Sequence, residues 1–137
     1  MIIDFATYLL TLSSITDLVS TRIFVDKLPQ LVTARPTITV QRISATHKRD
    51  HAGQLGIATT RIQLDVWAAT AASADAVAEA VRVAVDGVGP ITMGTTPIVR
   101  AFDDGESSTY NQAIDGSDTG EHRVTQDWII WHTETTP

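Results

Sequence analysis

A short charged segment brings together residue types that bind metals or charged partners. It places His47 and His51 four residues apart, with Lys48, Arg49 and Asp50 between them. On a helix, two histidines at this spacing could ligate a metal ion. However, the segment lacks the glutamate of the H-E-x-x-H motif, has no convincing helical period, and is accompanied by no evident third ligand. We therefore interpret it as a polar loop that is available for contacts with a partner.

Acidic side chains are concentrated in the segment Asp103–Glu121, which holds six carboxylates and no Lys or Arg. Its stretch 115–121 (DGSDTGE) lacks the D-x-D-x-D-G spacing and the glutamate at the twelfth position that a calcium loop requires. We interpret the segment as a solvated loop that repels phosphate or meets a basic partner. Its candidate contact residues are Asp103, Asp104, Glu106, Asp115 and Asp118.

No constellation for catalysis is evident in the sequence. It contains no nucleophile elbow with Ser, Asp and His in order, and no G-x-x-x-x-G-K phosphate loop. It contains no cysteine, which excludes thiol catalysis, disulfides and thiolate metal sites. We therefore predict a protein that is not an enzyme, with no catalytic residues, no cofactor and no metal.

Length and composition fit one domain over residues 1–137, because 43% of the residues are hydrophobic and can form a core. No stretch approaches the roughly 18 apolar residues that a membrane-spanning helix needs, so no membrane contact is predicted. The N-terminus is mildly apolar but contains Asp4 and no basic region. A secretory signal is therefore not expected, and the cytosol is the expected place of folding.

The net charge of −6 is unevenly distributed along the chain. Residues 1–61 carry seven basic and four acidic side chains, whereas residues 62–137 carry three basic and twelve acidic ones. Such a split could simply solvate the surface, or it could create unlike flanks that suit head-to-tail contacts between copies. Tight binding of nucleic acid is disfavoured, because the pI is near 4.9 and no basic stripe is present.

Two periodicities meet in the segment Thr59–Val88. Residues 59–67 alternate between apolar and polar, which predicts a half-buried antiparallel strand. From Ala74 the pattern becomes helical, with Ser73 as the predicted N-cap. The apolar face of this helix is Ala74, Val77, Ala78, Val81, Ala84, Val85 and Val88, and we expect it to pack on Ile62, Leu64 and Val66.

The remaining elements are a helix at Asp4–Leu12, a short helical turn at Ser14–Val19 capped by Ser14, and three further strands. The strands are predicted at Thr37–Ser44, Pro97–Phe102 and Arg123–His132, and long loops at Ala45–Ile57 and Asp103–Gly120. The predicted fold class is α+β. It has an antiparallel sheet of about four strands packed with one long helix and an N-terminal helix, in the order α-β-β-α-β-β.

Several segments, taken in order, carry a family resemblance. They are ITDLVSTRIF after the N-terminal helix, the strand PTITVQRIS, the unit RIQLDVWAATAASADAVAEAVRVAVDG and the final strand HRVTQDWIIWH. Together they resemble the tail-completion, or tail-terminator and tail-to-head joining, proteins of long-tailed bacteriophages and gene transfer particles. The motifs are hydrophobic patterns rather than catalytic signatures, and they cover most of the chain.

This resemblance implies a structural virion protein that is assembled in the host cytoplasm and resides at the head–tail interface. It implies a homo-oligomeric, hexameric ring at the head-proximal end of the tail, which terminates the tail tube and joins it to the head connector or stopper protein. DNA would pass through the lumen without specific binding. The family has no catalytic residues that could be carried over to this chain.

Two rival functions remain open at this point. One is a head-side stopper or adaptor subunit, which would share the ring and the lack of catalysis. The other is a small ligand-binding or enzymatic α+β domain, which would need a pocket around His47, Asp50 and His51. Within the ring hypothesis, Lys48 and Arg49 are the predicted opposite charges for the acidic segment of a neighbouring subunit.

Overall fold

The computed structural model describes residues 1–27, 35–50, 53–111 and 121–133. In these residues three helices and six strands follow one another along the chain. Their bounds are α1 Ile2–Leu10, α2 Ser13–Val19, β1 Ile23–Val25, β2 Thr37–Asp50, β3 Gly53–Ala68, α3 Ala71–Val85, β4 Ile91–Met93, β5 Thr96–Asn111 and β6 Glu121–Thr133. The predicted α+β class is therefore confirmed.

The strands form one six-stranded sheet in the order β1-β2-β3-β6-β5-β4. β1 runs parallel to β2, and every other neighbouring pair is antiparallel. The prediction of about four strands is wrong in number, because the three-residue strands β1 and β4 extend the sheet at its two edges. Three residues are too few for an alternation pattern to be recognised in a sequence.

Both predicted long loops are strand wherever the structure describes them. The segment Ala45–Ile57 belongs to a hairpin in which β2 continues to Asp50 and β3 begins at Gly53. The segment Asp103–Gly120 begins as strand, because β5 continues to Asn111. Register shifts interrupt both hairpins, and each shift breaks the two-residue alternation on which the sequence interpretation depended.

Helix α3 begins earlier than its sequence pattern indicated. Thr70, not Ser73, is the N-cap, and its hydroxyl oxygen accepts a hydrogen bond from the Ser73 N–H at 3.1 Å. A side chain at the N-cap satisfies one of the amide groups that the first helical turn leaves without a partner. Likewise α2 begins at Ser13, so the N-cap position is held by Leu12 rather than Ser14.

The core lies between the helices and one face of the sheet. On α3, the buried residues are Ala74, Val77, Ala78, Val81 and Val85, and they belong to one apolar cluster with Ile62, Leu64 and Val66 of β3. The predicted packing of α3 on β3 is therefore confirmed. Phe5 and Leu9 of α1 and Trp128 of β6 are fully buried in the same cluster.

The N-terminal helix is held to the sheet edge by a polar contact. The Asp4 carboxylate accepts a hydrogen bond from the Thr96 hydroxyl at the start of β5. At Gly94, with φ of +57°, an added Cβ would lie 2.3 Å from the Asp4 Oδ1 atom. Glycine therefore serves both the turn between β4 and β5 and the close approach of α1.

No single helix among the described residues is long and apolar enough to cross a membrane. By length and composition alone, the bent pair of α1 and α2 passes the same test together, with an angle of 85° between its two helices.

Candidate assembly surfaces

The order of the strands separates the two charged halves of the chain in space. β1, β2 and β3 come from residues 23–68 and lie on one side of the sheet, whereas β6, β5 and β4 come from residues 91–133 and lie on the other. The mainly basic first half therefore supplies one edge of the sheet and the mainly acidic second half supplies the opposite edge. This places unlike surfaces at opposite flanks of one subunit.

The turn regions of the two long hairpins lie at opposite ends of the sheet. Ile57, near the turn between β2 and β3, pairs with Thr133 at the end of β6. Ala68, at the other end of β3, pairs with His122, close to the turn between β5 and β6. The basic hairpin end, which carries Lys48 and Arg49, and the acidic residues 103–106 of β5 are thus held apart within one chain by β3 and β6.

The basic candidate residues lie at the far end of β2. His47 is exposed and opposite Ala58, and Lys48, Arg49 and Asp50 continue the strand. The structure describes the backbone of these last three residues but not their side chains, and His51 lies outside the described residues. The interpretation of this segment as a polar loop is wrong for residues 47–50, since β2 is extended there.

Three acidic candidate residues already have partners within the chain. The Asp104 carboxylate accepts a hydrogen bond from Arg61 at 2.6 Å, and the Asp103 carboxylate accepts one from the Gly105 N–H at 2.9 Å. Glu106 accepts a hydrogen bond from a glutamine on β6. Asp115 and Asp118 lie outside the described residues. The described acidic candidates therefore lie close together on β5, at residues 103–106, here called the acidic strand surface.

That glutamine, Gln126, is a buried polar junction between α3 and the sheet. Its Nε2 group donates to the Ala78 carbonyl at 2.8 Å and to Glu106 Oε1 at 2.9 Å, and its Oε1 atom accepts from the Trp128 indole N–H at 3.2 Å. It is fully buried, so each of these bonds replaces water that cannot reach it. Gln126 therefore connects the acidic strand to the core.

The sheet face opposite the helices is polar at one end. Asp65 is almost fully buried and accepts hydrogen bonds from the Thr125 hydroxyl at 2.6 Å and from Gln63 at 3.0 Å. On the same face, the Arg123 guanidinium lies 5.3 Å from the centre of the Trp67 ring. These contacts across β3 and β6 stabilise this polar part of the face.

An apolar patch interrupts the polar face near its other end. Phe102 of β5 pairs with Ile129 of β6, and Trp131 follows two residues later on the same side. The exposed fractions are 43% for Phe102 and 37% for Trp131. Trp128 is fully buried, so Trp128 and Trp131 lie on opposite faces of β6. Trp131 therefore lies on the helix-free surface, as Trp67 does at the other end of the same face.

A cleft of about 560 Å³ lies where β2, β5 and β6 meet the N-terminus of α1. Its lining includes Met1, Arg42, His47 and the nearly buried His132. The His132 Nδ1 atom lies 3.1 Å from the Thr133 carbonyl oxygen, and its Nε2 atom lies 2.7 Å from the Thr60 hydroxyl. Since a carbonyl only accepts, Nδ1 carries the proton in the first contact, and Nε2 shares a hydrogen bond with the Thr60 hydroxyl. These two contacts hold the ring at the end of β6.

Among the described residues, the cleft brings together no set of side chains that could hold a metal ion. No group of three His, Cys, Asp or Glu side chains that could hold a metal occurs in that part of the chain. The pocket that a ligand-binding domain would need was expected around His47, Asp50 and His51. Of these, only His47 lines the cleft among residues whose side chains are described.

The outer face of α3 carries an ion pair between exposed groups. Arg82 donates through Nε to Glu79 at 3.0 Å and makes a second hydrogen bond through Nη2. The hydrogen bond from Arg82 lowers the pKa of Glu79 below its ordinary value, and Glu79 correspondingly raises the pKa of Arg82. The same outer face also exposes Asp75, Ala76 and Val83 to solvent.

The sequence interpretation missed the continuation of β2 beyond Ser44 and of β5 beyond Phe102, and the patch of Phe102, Ile129 and Trp131. The continuations, ATHKRD and DDGESSTYN, are mostly polar and hold one β-branched residue each, and the register shifts beside them break the alternation. The patch combines residues from different hairpins. These residues come together only because β5 pairs with β6.

Comparison with known proteins now adds to these observations. The family model described as "Tail completion protein gp17" matches residues 5–133. A chain in the solved structure titled "Virion of native gene transfer agent (GTA) particle" has a similar fold, with a TM-score of 0.65 and 19% sequence identity. That match covers 87% of this chain and 84% of the other. No curated protein sequence matches the chain significantly.

The described helices and strands form one α+β fold whose two flanks differ in charge. The chain belongs to the tail completion protein gp17 family, as the resemblance in its sequence indicated. It is accordingly a viral structural protein of the virion tail.

Proposed function

We propose that this protein forms a hexameric ring at the head-proximal end of a phage or gene transfer particle tail. The ring terminates the tail tube and joins it to the head connector. Its role is structural, with no catalytic step. The single observation that carries the proposal is the separation of basic and acidic edges on opposite flanks of one sheet, in a chain of the tail-completion family.

Unlike flanks favour head-to-tail association. A contact between two different surfaces of identical subunits generates a ring when the rotation closes. Opposite charges at the two flanks would orient each subunit and speed its encounter with the next. A symmetric dimer would instead bring like edges together, which the charge distribution disfavours.

The acidic strand surface is the proposed contact for the basic hairpin end of a neighbour. Asp103, Asp104 and Glu106 lie on β5, and Lys48 and Arg49 lie on β2 at the opposite flank. Because one chain cannot bring these groups together, the contact is available only between chains. The acidic composition also suits a conduit, since DNA passes without the salt-sensitive grip of phosphate contacts.

The first experiment measures oligomeric state and partners. Native mass spectrometry and negative-stain electron microscopy of the purified protein are expected to reveal six-membered rings. Pull-down with separately purified tail tubes and head connectors then tests where the protein sits between the tail and the head. Binding to both supports a joining role, whereas binding to the connector alone would identify the protein as a head-side stopper or adaptor. A protein that stays monomeric with both partners present contradicts the ring.

The second experiment tests the charged contact. The triple variant Asp103→Asn, Asp104→Asn, Glu106→Gln is expected to weaken ring assembly, with a smaller response to added salt than the parent. The matched control is Asp17→Asn, Asp75→Asn, Glu79→Gln, which makes the same charge change on exposed helix positions. Equal assembly of parent and triple variant at low and high salt contradicts the contact.

A further inference from the structure

The outer side of β2 can be mapped from its hydrogen bonds to the preceding segment. The Ile38 N–H donates to the Arg22 carbonyl at 2.9 Å, and the Val40 carbonyl accepts from the Asp26 N–H at 2.7 Å. Main-chain groups in a strand alternate in direction. At this end of β2, even-numbered residues therefore turn their polar main-chain groups away from β3.

Beyond Val40 this outer side carries no strand among the described residues. Residues Arg42–Thr46, here called the β2 edge, are all exposed. The register shift between Arg42 and Ser44 inserts one residue, so the alternation changes phase there. Past the shift, Ala45 turns its N–H and carbonyl outward, whereas Ser44 and Thr46 turn theirs towards β3.

The outer side of β5 can be mapped in the same way. The Ala101 N–H donates to the Val88 carbonyl at 3.0 Å, and the Ala101 carbonyl accepts from the Gly87 N–H at 2.8 Å. Two residues later, the Asp103 N–H donates outward to the Asp86 carboxylate at 3.1 Å. Odd-numbered residues therefore face outward up to this point.

The outer side of β5 becomes open after Asp103. The register shift between Asp103 and Glu106 inserts two residues opposite one, so Glu106, Ser108 and Tyr110 turn their main-chain groups outward. Residues Glu106–Tyr110, here called the β5 edge, are exposed, and no strand among the described residues lies against them. An open row of main-chain donors and acceptors is a template for pairing with another strand.

The strand directions fit these two edges to each other. β2, β3, β6 and β5 alternate in direction across the sheet. When a second copy is added in the same orientation, its β2 lies beside β5 of the first, and the two strands are antiparallel. The up-and-down alternation then continues from copy to copy without a break.

The faces of the two edges also match. Ala45 lies opposite the buried Thr60, and Ser108 lies opposite the buried Val124, so both outward-pointing residues are on the helix face. Pairing Ala45 with Ser108 therefore keeps the helices of all copies on one side. Continuing this register pairs His47 of one copy with Glu106 of the next and brings residues 48–49 close to residues 104–105, at the register shifts of the two strands. A basic segment then lies near an acidic one.

The required displacement between copies matches that of a closed barrel. Ala45 lies opposite Thr60 on β3. Ser108 lies opposite Val124 on β6, and Val124 in turn lies opposite Val66 on β3. The two edge residues therefore differ in level by six residues, the distance from Thr60 to Val66 along β3. Six residues correspond to about 20 Å along a strand, and four strands to about 19 Å across the sheet. This stagger gives a strand tilt of about 45°, within the range found in closed barrels.

From these relations we propose that neighbouring copies join by main-chain pairing of the β2 edge with the β5 edge. The proposal rests on the ring proposed above and specifies its subunit contact. Ala45 pairs with Ser108, and the four long strands of each copy become part of one continuous antiparallel sheet that closes on itself.

Disulfide cross-linking tests this register directly, because the chain contains no cysteine. Thr46 and Ser107 lie opposite each other in the proposed register, on the face away from the helices. Within one chain they are separated by three strand spacings across the sheet, about 14 Å, and by six residues along it, about 20 Å, which is too far for a disulfide. The double variant Thr46→Cys, Ser107→Cys should therefore form a ladder of covalent oligomers under mild oxidation.

The matched control is the variant Ala45→Cys, Ser107→Cys, in which the two thiols lie on opposite faces of the same paired strands. The test pair is expected to give at least about tenfold more covalent dimer than the control pair, because disulfides demand close and aligned Cβ atoms. Electron microscopy of the same samples counts rings. Rings without a specific ladder overturn the edge pairing and leave the ring intact. A specific ladder without rings supports edge pairing and contradicts the closed ring, and absence of both contradicts both proposals.

Discussion

The Arg61 guanidinium donates to the Asp104 carboxylate at 2.6 Å, although β6 lies between their two strands. The pair therefore connects the basic flank to the acidic flank across the open face of the sheet. Both side chains remain more than one-third exposed, with fractions of 36% and 44%. Water and salt screen such a pair, so its stabilising effect is small.

We expect a double-mutant cycle with Arg61→Gln and Asp104→Asn to give a coupling of about 0.2–1 kcal/mol in the free energy of unfolding. The coupling should fall as salt is added, because the charges are exposed. Chemical denaturation of the isolated chain measures it. Arg100→Gln combined with Asp104→Asn is the control, since Arg100 donates to the Gly87 carbonyl. A coupling that is unchanged at high salt would contradict the pair as described.

We expect Val81→Asp to destabilise the fold by several kcal/mol, because it places an unpaired carboxylate in the core. Val83→Asp, two residues along the same helix, is the matched control. Val83 is 70% exposed, so its substitution should change the free energy of unfolding by no more than about 0.5 kcal/mol. Thermal melting of both variants checks the assignment of the buried face. Similar melting curves for the two variants would show that the assignment of the buried face is wrong.

We expect Thr125→Val to cost about 1.5–3 kcal/mol, since it removes a hydrogen bond to the buried Asp65 carboxylate. The replacement is close in shape, so loss of the hydroxyl accounts for most of the effect. Thr109→Val, at an exposed position on β5, controls for the general effect of the substitution. Urea denaturation measures both variants, and equal stability would remove Asp65 and Thr125 as a structural pair.

We expect Gln126→Leu to destabilise the fold by about 1–3 kcal/mol, because the buried Trp128 indole N–H loses its acceptor. Substitution of Trp128 by Phe in the Gln126→Leu background removes the orphaned donor and should recover part of the loss. Chemical denaturation of the two variants checks whether the double variant is more stable than the single one. If the single variant is as stable as the parent, the hydrogen-bonded junction between α3 and the sheet contributes nothing to the free energy of unfolding.

We expect amide hydrogen exchange in the isolated chain to alternate along the far end of β2. Ser44 and Thr46 turn their N–H groups towards β3 and should exchange slowly, whereas Ala45 turns outward and should exchange fast. NMR exchange measurements resolve these residues individually. Uniformly fast exchange from Ser44 to Thr46 would instead support the loop that the sequence pattern indicated.

The sequence by itself determined the elements whose burial repeats regularly. The alternation of Ile62, Leu64 and Val66 and the helical spacing of Val77 and Val81 each leave one apolar face to bury, which determined β3, α3 and their packing. The order of such patterns along the chain was also sufficient to recognise the family to which it belongs. Local periodicity carries this information because each residue contributes to it independently of distant partners.

Only the tertiary structure decided the extent and the pairing of the strands. The bulges near Ile43 and Gly105 shift the alternation, so a local pattern ends where the strand in fact continues. Strand partners are hundreds of atoms apart along the chain, and the hydrogen bonds that select them are made by main-chain groups that all residues share. The open edges, the contact of Arg61 with Asp104, and the patch of Phe102 with Trp131 therefore arise only when β3, β6 and β5 are brought side by side.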